Sequence, residues 1–359
     1  MVIFLIPKEI KKIIHKIEDN GFEAYLVGGF VRDALLLKTT NDIDLATNAK
    51  PKDLIQIFGP SKKENEYGSY HLKVDNYTID ITTYRKEISY ENGKLNKVEY
   101  TTNLLEDASR RDFTVNALYM NKEENIIDLY NGRIDLMNKK LKMIGNPYLR
   151  LKEDPTRILR AVRFATQYKL RMDKELYHAI LKEKKNLQNI SESKIRQELD
   201  KILLANGFDV LKKLGLLKEL GIESQKIVYV EDLSGLWAQI KTSKNYVVKK
   251  ELKIRQKMIA DQIKCGTIKV LHLYKYGYYQ CLVVARIIHF PLKKLEKMVK
   301  ELPITSRRNI ALTTEEMAAL SGKQGKEFGI LLEDIEEKIV TRKIKNDEES
   351  IKKYIKERG

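Results

Sequence analysis

The spacing of apolar residues changes along the chain, and the changes mark its elements. Residues 8–20 set Ile10, Ile13, Ile14 and Ile17 at helical spacing among Lys and Glu, which predicts an amphipathic helix able to cover one face of a sheet. Gly21 stops it. Residues 24–27 read as a first strand, a helix begins near Gly29 and continues through 33–37, and 43–46 form a second strand. Asn48-Ala49-Lys50-Pro51 caps a short helix ending at Ile57, and Gly59-Pro60-Ser61 is a turn. Residues 70–74 and 77–82 predict a hairpin about Asp75-Asn76, its second arm alternating Thr78, Asp80 and Thr82 against Ile79, Ile81 and Thr83.

From 85 to 103 the apolar periodicity disappears, which predicts a mobile loop with a short edge strand at 98–100. Asn103 to Glu106 reads as a cap and box opening a helix that carries Arg110-Arg111-Asp112-Phe113-Thr114-Val115-Asn116-Ala117. A strand and a tight turn follow over 126–136, with Asn131 and Gly132 suited to left-handed conformations and Asp128 and Asp135 holding the turn. Beyond Ile144-Gly145-Asn146-Pro147 the pattern is helical to the end. Glu153-Asp154-Pro155-Thr156-Arg157 opens a helix running through Arg160, Arg163 and Phe164, and further helices are expected at 173–186, 191–205, 208–219, 250–264, 278–289 and 291–301. Thr313 and Glu316 have capping-box spacing, 331–340 is another short helix, and the highly charged last twenty residues are expected to fray.

Several of these elements carry chemistry. Asp42 and Asp44, two apart on a strand, point the same way and can converge on divalent cations while Ile43 faces the core. Alone, such a pair is equally the mark of a turn or a solvated strand edge. Gly28 and Gly29 have no side chains to keep a ligand from the backbone where a helix N-terminus begins. Asp80 is a third candidate acid for the metal side, or an acid paired with Arg85 or Arg111. Arg111 can neutralise a triphosphate, brace an acid, or make a surface ion pair. Asp154 and Arg157, three apart, share a helix face; carboxylate and guanidinium together match the amine and ring acceptor of cytosine or adenine and reject uracil and guanine. A plain ion pair has the same spacing.

Composition narrows the partners. With 67 Lys and Arg against 50 Asp and Glu, the net charge of +17 favours a polyanion such as a nucleic acid, although a Lys-rich coding bias produces the same excess. Tyrosines interleaved with Lys at 273–279, and Arg307-Arg308, are candidates for contact with an RNA backbone or ordinary rim residues. Two cysteines, Cys265 and Cys281, are too few for a zinc cluster and read as buried thiols of a reducing cytosol. The apolar start is too short for a signal peptide and 281–289 is broken by Arg286, so a cytoplasmic protein without a membrane partner is expected.

Taken together, Gly28-Gly29-Phe30-Val31-Arg32-Asp33 with Asp42-Ile43-Asp44, Arg110 to Ala117, 128–136, Glu153 to Arg157 and 191–199 resemble the class II tRNA nucleotidyltransferases, the CCA-adding enzymes of bacteria, in the DNA polymerase beta superfamily. The likeness covers at least 20–205, with a weaker echo at 302–309 and 322–329. It implies an α+β chain: a nucleotidyltransferase head with a mostly antiparallel mixed sheet (1–146), then an all-α neck (147–206), body (207–300) and tail (301–359) that grip the acceptor arm and 3′ end of tRNA. It implies Mg²⁺ in a two-metal mechanism on Asp42 and Asp44 with Asp80 as the third catalytic acid, and CTP and ATP as substrates. Gly28, Gly29, Arg32, Arg111, Asp112, Asn116, Asp154, Arg157, Arg160 and Arg163 are the implied nucleotide-binding residues, and 85–103 takes the place of the loop that switches CTP for ATP.

Departures from the pattern are few. The third acid is Asp80 where the family has Glu; Asn131-Gly132 replaces Gly-Gly; Ser193-Lys194 interrupts a Ser-x-Glu-Arg helix, whose ion pair is then absent or rebuilt; and Gln324-Gly325-Lys326 replaces Pro-Gly-Pro. A bacterial poly(A) polymerase shares most motifs, but Phe58-Gly59-Pro60-Ser61 lacks the basic run usual there. An enzyme adding only the terminal A and a non-catalytic tRNA-binding protein are the other readings.

Overall fold

The computed structural model describes residues 6–60, 68–91, 94–246 and 248–358. The N-terminal sheet has the strand order β3-β4-β2-β1-β7-β8, with β1 Ala24–Val27, β2 Asp42–Thr47, β3 Ser69–Val74, β4 Tyr77–Thr83, β7 Leu118–Met120 and β8 Ile126–Asp128. β2 and β4 run parallel and the other neighbours antiparallel, the mixed sheet expected of the α+β class.

Alternation decides which way this sheet faces. Ile43 and Leu45 on β2 and Ile79 and Ile81 on β4 enter a core closed by the stripe Ile10, Ile13, Ile14 and Ile17 of α1 (Lys8–Glu18). Each such fully buried Ile or Leu contributes about 2 kcal/mol. Asp42 and Asp44 are thereby left on the opposite, open face. The first strands, the α2 helix (Gly29–Leu35), the α3 helix (Pro51–Phe58) and the Asp75-Asn76 hairpin all form where the alternation places them. Ser61, part of the expected turn, lies outside the described residues.

Residues 85–103 depart from expectation. Instead of a mobile loop they form an antiparallel pair, β5 (Arg85–Glu91) and β6 (Lys94–Tyr100), with Asn92 and Gly93 outside the described residues. This ribbon packs on charge rather than on a core. Lys86 pairs with Glu106 at 2.8 Å, and Glu87 lies 3.9 Å from Arg110 and 3.4 Å from Arg157. The helix after it, α4 (Leu104–Ser109), is shorter than read: Asn103 caps it by accepting from the Leu105 amide, but Glu106 turns to Thr101 and Lys86 instead of closing a box. Arg110 to Ala117 is accordingly not helical beyond one 3-10 turn at Thr114–Asn116, and β7, buried at all three residues, offered no alternation to read.

In the turn before α5 (Gly132–Met137) only Asn131 is left-handed, with φ 59°. Gly132 is required for space, since a Cβ there would meet the Thr114 carbonyl oxygen at 2.2 Å. Asp128 holds the turn by accepting from the Gly132 and Arg133 amides, whereas Asp135 accepts from the Thr114 hydroxyl. The helix expected from 153 is two helices, α6 (Pro147–Glu153) and α7 (Thr156–Gln167). Pro155 has no amide hydrogen to donate and drives the residue before it out of helical geometry, so Asp154 is extended at φ −135°, ψ 93°. α8 (Lys174–Glu183) and α9 (Glu192–Leu204) complete this part, α9 packing on α7.

The chain divides into two compact units, Met1–Glu223 with Thr242–Val247 and Ser224–Lys241 with Val248–Gly359. The second unit is helical, with a core around Met317, Leu332, Ile335 and Ile339. Its last helix, Glu348–Lys356, does not fray: Asp347 caps it and Ile351 and Ile355 are buried in that core. Helix Val270–Ile287 contains the tyrosine-rich stretch and breaks at Gly277, φ 76°. Thr313 and Glu316 form the expected box. Cys281 is buried as read, but Cys265 is exposed. Among the described residues no helix is long and apolar enough to cross a membrane.

Candidate active site

A cavity of about 520 Å³ opens in the first unit between the sheet's open face and α7, large enough for a nucleotide-sized ligand. Gly28, Gly29, Arg32, Asp42, Asp44, Arg111, Asp112, Asn116, Asp154, Arg157, Arg160 and Arg163 line it, which brings together every sequence-derived site residue except Asp80. Asp80 sits outside the lining, one strand away, opposite Asp44.

The acidic wall is set by β2. Asp44 lies low against the turn at Gly28, φ +67°, where a Cβ would stand 3.5 Å from its Oδ2. Desolvation raises the Asp44 pKa above the ordinary carboxylate value, the charges of Asp80 and Asp42 raise it further, and Arg111 and Arg32 oppose them. A divalent cation would relieve that crowding. Among the described residues no three acidic, His or Cys side chains are grouped as a metal-holding set. Two carboxylates nevertheless suit Mg²⁺, a hard ion that keeps several waters and takes further oxygens from substrate phosphates.

The basic wall is pre-paired. Arg111 donates through Nε to the Tyr119 hydroxyl at 2.9 Å and through Nη2 to Asp107 at 3.0 Å. Asp107 is fully buried and also binds Arg110; burial resists its charge, but the Arg111 and Arg110 guanidiniums outweigh it and hold its pKa at about 2. Asp112 is held at about 2 against burial by Arg160, by the Asn116 amide and by the Phe113 backbone amide. Asn116 in turn accepts from Arg32, whose Nε binds Asp33 at 3.0 Å and whose guanidinium stacks 4.1 Å from the Tyr168 ring centre. Arg163 reaches Glu198 on α9 at 3.2 Å, an ion pair near the interrupted motif.

Asp154 and Arg157 do not share a helix face, because Asp154 precedes α7. Its carboxylate accepts from the Thr156 amide at 3.0 Å where α7 begins, while the side chain still reaches the cavity. Arg157 is 5 % exposed and clamped: Nη1 donates to the Arg150 carbonyl and Nη2 to the Tyr90 hydroxyl, each at 2.8 Å, with Glu87 at 3.4 Å. The β5–β6 ribbon therefore holds the arginine that the sequence marks as base-reading.

Sequence reasoning missed the supports. Phe164 and Tyr168, four apart on and just after α7, stack at 6.0 Å and face Arg32; that spacing was available. Asp107, three and four residues before Arg110 and Arg111, carried the spacing of a helical ion pair. Thr40 and Gln167, also in the lining, gave no signal.

Comparison with known proteins bears on the family of the chain and its fold. Residues 24–142 match the family model described as Poly A polymerase head domain, 169–223 the one described as Probable RNA and SrmB- binding site of polymerase A, and 227–355 one for tRNA nucleotidyltransferase domain 2. The chain is 30 % identical to the CCA-adding enzyme of Enterococcus faecalis, covering 99 % of this chain and 98 % of that one. It is 31 % identical to the CCA-adding enzyme of Leuconostoc citreum, again over 99 % and 98 %. Its fold matches the solved structure of the Bacillus stearothermophilus CCA-adding enzyme in complex with CTP, with a TM-score of 0.81 at 23 % identity over 99 % of this chain and 98 % of that one. A Thermotoga maritima CCA-adding enzyme complexed with tRNA matches with a TM-score of 0.67 at 20 % identity, over 99 % and 96 %.

Proposed function

The chain belongs to the class II tRNA nucleotidyltransferases, the family of the CCA-adding enzymes, in the DNA polymerase beta-like superfamily and related to poly(A) polymerase, and from that premise we propose that it adds CCA to the 3′ end of tRNA in the cytoplasm. It does so from CTP and ATP without a nucleic-acid template. The tRNA 3′ oxygen bonds to the alpha phosphorus, the bond to the beta-phosphate oxygen breaks, and pyrophosphate leaves. The observation that carries this reading is that one cavity is lined both by the Asp42–Asp44 pair and by Asp154 and Arg157.

Asp42 and Asp44 would hold Mg²⁺, and the chemistry it would supply there is activation of the attacking hydroxyl and neutralisation of the leaving charge. Gly28 and Gly29 let the triphosphate lie against the backbone. Arg111, its charge secured from behind by Asp107, faces the phosphates, and Arg160 and Asp112 brace each other in the same lining. Arg157, fixed by Tyr90 and the Arg150 carbonyl, presents donors to the ring acceptor of cytosine or adenine, and Asp154 takes the exocyclic amine. Positioning and charge supply most of the acceleration.

The test is incubation with tRNA ending at the discriminator base, with CTP alone, ATP alone and both, followed by product sizing. Two additions with CTP and a stop at three with both support the proposal. A long A tail makes it a poly(A) polymerase, a single A only on tRNA ending in CC makes it an A-adding partner, and tRNA binding without pyrophosphate release makes it a non-catalytic binder.

A further inference from the structure

His71 has no part in the cavity lining, yet the sheet aims it at the chemistry. Strand pairing sets His71 of β3 opposite Asp80 of β4, and Asp80 opposite Asp44 of β2. Residues directly opposite in a ladder project from the same face, so the three stand in a row leading from the sheet's edge strand to the acidic wall. His71 Nδ1 contacts Asp80 Oδ1. A carboxylate offers only lone pairs, so the hydrogen of that bond lies on Nδ1 and the imidazole sets the plane of the carboxylate.

Both side chains keep contact with solvent, 33 % exposed for His71 and 44 % for Asp80. A pair this open contributes at most about 1 kcal/mol to stability, so orientation is its main product. We propose that His71 is a positioning residue for nucleotidyl transfer: by holding one oxygen of Asp80 it leaves the other for the side occupied by Asp42 and Asp44, where the attacking hydroxyl arrives. This rests on the reaction assigned above, with Asp80 as its third acid. A short acid needs such a guide because it lacks the reach to find its position by itself.

The experiment compares the full chain with His71→Leu and His71→Asn in steady-state CTP and ATP incorporation on tRNA, with thermal melting as a fold control. His71→Leu should lose about ten- to a hundredfold in kcat, the range seen when a partner that orients an active-site ligand is removed, while KM for nucleotide and tRNA and the melting midpoint hold. His71→Asn puts an amide donor where Nδ1 was and should recover most of the loss. Independently of turnover, ¹⁵N spectra of the imidazole in metal-free protein should show hydrogen on Nδ1, a signature altered by Asp80→Ala. An active wild type with an equally active His71→Leu, an Asn variant no better than Leu, or an Nδ1 without hydrogen overturns the inference. A wild type that incorporates nothing overturns the assigned reaction instead, while the imidazole spectrum still reports on the bond.

Discussion

The two walls of the cavity are built on opposite electrostatic plans. On β2 the carboxylates of Asp42 and Asp44 share the open face of the sheet, and desolvation first, then the like charges of Asp80 and Asp42, push the Asp44 pKa up. In the same lining the guanidiniums of Arg111 and Arg160 are seated on buried acids, Asp107 and Asp112, whose pKa values are held at about 2. An open pair of like charges calls for a cation brought with the substrate; a pre-paired wall keeps its donors aimed without one. One set of charges thus repels itself and the other is neutralised within the fold.

The sharpest way to break this contrast is at the self-repelling acids. Asp42→Ala should lower incorporation by at least about a thousandfold, since neutralising one metal-side acid removes charge stabilisation needed in the transition state. Binding of tRNA, measured by gel shift, should stay nearly intact, and near-normal turnover would refute the metal assignment. At the paired acids the same kind of change should act on the fold. Asp107→Asn leaves Arg110 and Arg111 without their buried partner and should cost about 3–5 kcal/mol in denaturant unfolding.

Acid should reveal the same buried pairs without mutation. The folded-state pKa values of Asp107 and Asp112 lie below the ordinary carboxylate value, so their contribution is fully present above about pH 4 and is lost as pH falls towards 2. That loss should be about 2–3 kcal/mol for each, and Asp107→Asn should flatten the curve by its share. The smallest effect is on choice: Arg157→Ala should weaken discrimination against UTP and GTP by about ten- to a hundredfold, one good base contact, while tRNA affinity holds. Unchanged discrimination in competition assays would remove Arg157 from base reading.

What the sequence disclosed depended on whether an element packs on a core. β2, β4 and α1 were legible because Ile43, Ile79 and Ile14 must alternate or recur to be buried, and that same alternation turned Asp42 and Asp44 outward. β5 and β6 were illegible because Lys86, Glu87 and Glu99 break up the few apolar residues, such as Ile88 and Val98, none of which joins a core cluster. The split between α6 and α7 was present in Asp154-Pro155, where proline disfavours helix at the residue before it. His71 could have been found by arithmetic: with Asp75-Asn76 as the turn, 71 falls opposite 80. The parallel match of Asp80 with Asp44 could not, because it joins strands that no turn connects.

The bare alpha carbon at 132 has a reach that its distance from the acidic wall conceals. Thr114, whose carbonyl it abuts, lies between Asp112 and Asn116, so a methyl group inserted there would shift the very peptide that spaces those two side chains. A buried bend far along the chain thus acts as a gauge block for the nucleotide end, and substitution at that one position should disturb base reading and fold stability together.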